Sequence, residues 1–130
     1  MSIAFFCVLI ASVLPILWVG IAKTKNGFDL KANHNPRDFL STAKGVSKRA
    51  NAAQQNAWEA FAPFAAAVII ASISNVDNKL IDYAAIVFIL MRILHGVFYI
   101  LDKATLRSLV WTIGMMCNFY LYYLSFTVIR

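Results

Sequence analysis

The sequence predicts an all-α integral membrane protein, a single domain over residues 1–130 arranged as a four-helix bundle. Three observations carry that prediction. The chain is 61% hydrophobic and 14% charged, where a soluble domain carries about 25% charged residues, and its mean hydropathy is +0.69. Four apolar segments each approach the ~20 residues that a helix needs to cross a bilayer core. The basic residues gather on one set of connections instead of spreading over a surface.

Each element follows in order. The first span covers about 3–22. No Lys or Arg precedes it and no small-x-small site closes it, so it reads as a retained helix and not as a cleaved signal. Pro15 predicts a kink. The second helix covers about 41–74. It crosses the membrane from Ala57 and extends before it as a polar, Ala-rich stretch with Ser41 or Ser47 as the cap. The third and fourth spans cover about 80–101 and 105–129. Residues 23–48 form a long polar connection with turn signals at Asn26-Gly27 and Asn35-Pro36. The other two connections are short, which makes the last three spans antiparallel neighbours.

Charge sets the expected orientation. Lys23, Lys25, Lys31, Arg37, Lys44, Lys48 and Arg49 lie on the first connection, with Lys103 and Arg107 on the third. Four spans place these nine on one side, against Lys79 and Arg130 on the other. The first and third connections are therefore expected in the cytoplasm, with affinity for anionic membrane lipid.

Several function classes are disfavoured. Nucleic-acid binders carry their basic face on a soluble scaffold, so no nucleic acid is expected as a partner. Cys7 and Cys117 lie in apolar runs with no metal-ligand or disulfide spacing, so they read as free thiols and no metal is expected. Small multidrug pumps also have four helices but rely on an acidic residue in the first, and residues 3–22 contain none. No filter-like segment suggests a pore.

The ionisable groups inside the spans point to chemistry, because charge at membrane depth costs about 2.5–3.5 kcal/mol and usually faces an interior. Asn56 and Glu59 share a face of the second helix, with Arg49 two turns before Asn56 and Gln55 one turn from Glu59. Arg92, His95 and Tyr99 share a face of the third. Arg107 opens the fourth. All reach the same end of the bundle. The plainer readings are a Glu59–Arg92 structural pair, a satisfied interior His95, an Arg107 that snorkels to lipid phosphate, and Trp18, Tyr99, Trp111, Tyr120, Tyr122 and Tyr123 as interfacial anchors. Taken as one set, guanidinium groups beside a carboxylate suit a ligand bearing carboxylates, an amine and a thiol. Cationic neighbours favour the thiolate form of such a thiol.

The run from Arg49 to Phe64, RANAAQQNAWEAFAPF, resembles the second-helix signature of the MAPEG family, the membrane-associated proteins of eicosanoid and glutathione metabolism. Asn56-x-x-Glu59 followed by Pro63-Phe64 is its most specific part. Arg92 with Tyr99 seven later, and the tight turn into Arg107, resemble the family's third and fourth helices. The resemblance implies a homotrimer with glutathione held between subunits as cosubstrate. It implies Arg49, Asn56, Glu59, Arg92 and Tyr99 as glutathione-binding residues, and Arg107 as the catalytic residue that stabilises the thiolate. The implied activity is that of a glutathione transferase or peroxidase acting on lipophilic small molecules, in a bacterial inner membrane. One departure matters. Ala52 stands where glutathione-active members often carry a basic residue, and Arg49, on the same face, is the expected substitute. The alternative is a non-catalytic protein that keeps the fold and binds a lipid or an anionic metabolite.

Overall fold

The computed structural model describes residues 3–128. Four helices are long and apolar enough to cross a membrane: α1 (Ile3–Lys25), α3 (Gly45–Ile73), α4 (Asn78–Ile100) and α5 (Ala104–Val128). No strand occurs among the described residues, so the all-helical, four-span architecture is the one the apolar runs predicted. Ile129 and Arg130, the expected end of the last span and one residue of the charge comparison, lie outside the described residues.

The polar first connection is more structured than its composition suggested. It contains a 3-10 turn (Ala32–His34) and a short helix α2 (Pro36–Ser41). Pro36 occupies the first turn of α2, where its missing N–H costs nothing. Gly27 turns the chain at φ 68°, a conformation that favours glycine. Phe28 and Phe39 meet edge to face at 5.2 Å, and Lys23 places its ammonium 4.3 Å from the centre of the Phe28 ring.

The expected serine cap of the second span is corrected. The span begins at Gly45 after Lys44, with no side-chain cap, and Gly45 itself has φ 56°. Ser47 is buried, and its hydroxyl donates to the Ala22 carbonyl at 2.6 Å. That bond ties the end of α1 to the start of α3. Ser41 bonds back to the Asp38 carbonyl at the end of α2.

Packing is by close approach of small residues. α1 lies mainly on α3 and α4 on α5, with α3–α4, α1–α4 and α3–α5 seams completing the bundle. Buried alanines line α3 at Ala50, Ala53, Ala57, Ala60, Ala67 and Ala71. Lipid tails are as apolar as the helices, so dispersion between well-fitted surfaces holds spans together, and small residues permit it. The Phe64 and Phe88 rings stack at 3.9 Å, 11° apart, in the middle of the core.

Trp18 is not an interfacial anchor. It is 8% exposed and lies flat on α4 at Gly96, where an added Cβ would fall 2.2 Å from its ring. Tyr122 is likewise engaged, its hydroxyl donating to the Pro63 carbonyl at 3.3 Å. Asn118 is 2% exposed among core side chains, and its amide has no hydrogen-bond partner among the described residues.

Candidate functional site

The polar residues converge at the end of the bundle that carries the basic connection, and the convergence follows from helical register. Asn56 and Glu59 lie three apart on α3, so their side chains emerge on one face. Asn56 uses both ends of its amide. Its Oδ1 accepts from Arg92 Nη2 at 2.8 Å, and its Nδ2 donates to Glu59 Oε2 at 3.4 Å. Glu59 and Arg92 are thus linked through Asn56, not by the direct pair that the plainer reading supposed. Arg92 is 5% exposed, and a guanidinium at that depth requires such an acceptor.

Two further groups of α4 stand beside this chain. His95 is 3% exposed and meets Tyr99 edge to face at 5.4 Å. The Tyr99 ring in turn carries the Arg107 guanidinium over its face, 4.3 Å from the centroid. A cation over an aromatic face is worth about 0.5–2 kcal/mol, and here it fixes the direction of Arg107 at the start of α5. Arg107 therefore has a partner inside the bundle, which the lipid-snorkelling alternative did not foresee.

These residues enclose a cavity of about 390 Å³ lined by Asn56, His95, Tyr99, Arg107, Ser108, Trp111 and Thr112. A second cavity of about 200 Å³ lies deeper, lined by Glu59, Ala60, Pro63 and Met115 and sharing Asn56 and Trp111 with the first. Asn56 and Trp111 form the waist between them. The walls mix a cation, hydroxyls, an amide and an indole, and a carboxylate stands at the inner chamber. That set can hold an anion near Arg107 and an ammonium group near Glu59.

Arg49 is placed elsewhere. Its Nε donates to the Ile100 carbonyl at 3.0 Å, closing the end of α4, and it lines neither cavity. The polar face of α3 also divides. Asn51, Gln54 and Gln55 turn to a separate cavity of about 290 Å³ with Arg37 of α2.

Ser108, Trp111 and Thr112 did not emerge from the sequence as site residues, apart from Trp111 as an anchor. Part of the signal was present: Trp111 lies four residues beyond Arg107 on the same side of α5, and Ser108 lies three and four residues before Trp111 and Thr112, which groups those three on one face. Neutral hydroxyls simply do not stand out in an apolar span as charges do.

The MAPEG family model matches residues 3–127. The chain belongs to the MAPEG family. The match covers all four spans and the whole of both cavities. A comparison with curated proteins gives no match. MAPEG membership agrees with the four candidate spans in describing a membrane-associated protein.

Proposed function

We propose that this MAPEG protein is a membrane-bound glutathione transferase or peroxidase that activates the glutathione thiol against lipophilic electrophiles or hydroperoxides. The observation that carries the reading is that Asn56, bonded to Arg92 and Glu59, is shared by two adjoining cavities, one lined by Glu59 and the other by an Arg107 held over Tyr99. The volume suits a small ligand. Glu59 would receive the ammonium of the γ-glutamyl group, and Asn56 its polar backbone. Arg107 would face the thiol sulfur and favour the thiolate, the reactive form.

The chemistry balances without a redox cofactor. The thiol proton leaves to water. The thiolate attacks an electrophilic carbon, a C–S bond forms, and the leaving group departs with its bonding pair. With a hydroperoxide, the sulfur attacks the terminal oxygen and the O–O bond breaks. The alkoxide takes a proton, and a second glutathione converts the sulfenic acid to disulfide and water. The apolar partner arrives through lipid.

Assembly as a homotrimer is part of the same proposal. Trp58 and Glu59 are exposed on the single chain although they sit on a span. A carboxylate facing lipid is costly, and a neighbouring copy covering that flank removes the cost. Their charge excess favours the cytoplasmic side for the basic connections, and a bacterial inner membrane belongs to the same proposal.

A second reading is favoured by one observation. Ala52 supplies no cation, and Arg49 is committed to Ile100. A site with fewer cations suits a non-catalytic protein that binds an anionic metabolite or lipid. Calorimetry separates the two. Purified protein incubated with glutathione and 1-chloro-2,4-dinitrobenzene, or with a lipid hydroperoxide, is expected to turn over and to lose turnover in Arg107→Ala. Absence of both glutathione binding and turnover in a folded trimer would remove the enzymatic reading.

A further inference from the structure

A further cavity, larger than those of the polar site, plays no part in this chemistry. It is an open groove of about 550 Å³ between α4 and α5, lined by Leu80, Ala84 and Val87 on one side and Ile113, Cys117 and Tyr120 on the other. It lies at the end of the bundle opposite the basic connection, since α4 begins there at Asn78. We infer that this groove is a phospholipid site, with hydrocarbon tail seated against Ala84 and the phosphate received by Lys79.

Geometry selects a tail over a second copy of the chain. Leu80 to Val87 and Ile113 to Tyr120 each rise about 10 Å along their helices. The groove therefore runs parallel to the spans over about two thirds of a ~15 Å leaflet. The groove, about 550 Å³, is open on its outer side, so a hydrocarbon chain can enter it laterally from the bilayer. Helix docking also wants small residues on both walls. Here Ala84 and Cys117 are small, but Tyr83, Met116 and Tyr120 stand beside them as exposed, bulky rims that hold a second helix off.

Charge identifies the outer end. Lys79, Tyr83 and Val87 fall at i, i+4 and i+8, so Lys79 lies on the stripe that forms one rim, one turn before Tyr83. Lys79 is exposed. The two acids at this edge are engaged by backbone: Asp77 accepts the Lys79 N–H at 2.8 Å, and Asp82 accepts the Ala4 N–H at 2.8 Å. Lysine is the one side-chain cation near this end among the described residues. A phosphate at the lipid–water boundary meets it there, with tyrosine at the depth where aromatic residues usually sit.

The test counts retained lipid. Detergent-purified protein is incubated with dioleoyl-phosphatidylglycerol, dioleoylglycerol or oleate and read by native mass spectrometry, with the melting temperature followed in parallel. Phosphatidylglycerol is expected to stay bound and to raise the melting temperature. Ala84→Phe, which fills the floor, and Val87→Trp, which blocks the rim from an exposed position, are each expected to lower its retention at least tenfold. Lys79→Gln is expected to bring phosphatidylglycerol down to the level of dioleoylglycerol. Ile16→Phe on the exposed face of α1 is the control and keeps wild-type retention. Unchanged retention in Val87→Trp overturns the proposal, as does oleate matching phosphatidylglycerol or an equal loss in Ile16→Phe. Circular dichroism reports folding, and Val87→Trp carries the test if Ala84→Phe does not fold.

Discussion

The two halves of the bundle are built on different principles. The half away from the basic connection is held mainly by close-fitting apolar surfaces, with Phe64 stacked on Phe88, alanines admitting neighbouring helices, and the Ala4–Asp82 bond at its edge. The half beside the basic connection is held by directional contacts: Ser47 to Ala22, Arg49 to Ile100, Arg92 to Asn56, Arg107 over Tyr99. Dispersion is tolerant of what passes nearby but has no chemistry. Directional polar contacts can bind and activate, but each leaves an exposed debt if one partner is removed. Separating the two leaves packing to one end and the polar cavities to the other.

Substitutions can break this division or sharpen it. Phe64→Ala is expected to have the largest effect, a loss of about 3–5 kcal/mol from the cavity it leaves. Denaturation in mixed micelles reads the loss, while glutathione affinity below the new melting point stays within twofold. A comparable drop in affinity would mean that the halves are not separate. Asn56→Leu comes next. It strands the buried Arg92 without its acceptor, for about 3 kcal/mol of stability, and it also removes glutathione binding by calorimetry. Here stability and binding fall together, as expected where one residue serves both.

Arg107→Ala is expected to lower kcat/KM about 100-fold, or about 2.7 kcal/mol, with little change in melting temperature, because Arg107 is a partner to Tyr99 but not a support for the helix. Arg107→Lys recovers part of the rate if charge alone suffices. The smallest effect carries the opposite sign. Asn118 puts an amide with no partner among the described residues into the apolar half, so Asn118→Leu is expected to stabilise by about 1 kcal/mol. Destabilisation instead would show that the amide has a partner in the membrane-embedded protein.

The sequence made one layer of this legible. Apolar length predicted four spans, and spacings of three and seven predicted that Asn56 would face Glu59, and Arg92 would face His95 and Tyr99. Those are intrahelical facts, fixed by 3.6 residues per turn. Contacts between helices depend on how each helix is rotated and how far it slides, which no single helix encodes. For that reason the bond from Arg49 to Ile100, the seat of Trp18 on Gly96 and the direction of Ser47 were out of reach. The serine cap failed on the same ground. Ser47 had a more distant partner at Ala22, and a loop ending in a positive-φ glycine opened α3 instead. The smaller cavity beside Trp111 was likewise invisible, since a cavity is the space that several surfaces leave between them.

The bond from the Ala4 N–H to Asp82 joins residues 78 apart in the chain. Helix starts leave amides that need acceptors, and this one is met from another span. The carboxylate that completes the far end of α1 belongs to α4, although α1 lies mainly on α3. That bond limits how far α1 can slide along its neighbours, so the depth of the first span is set by the start of the third.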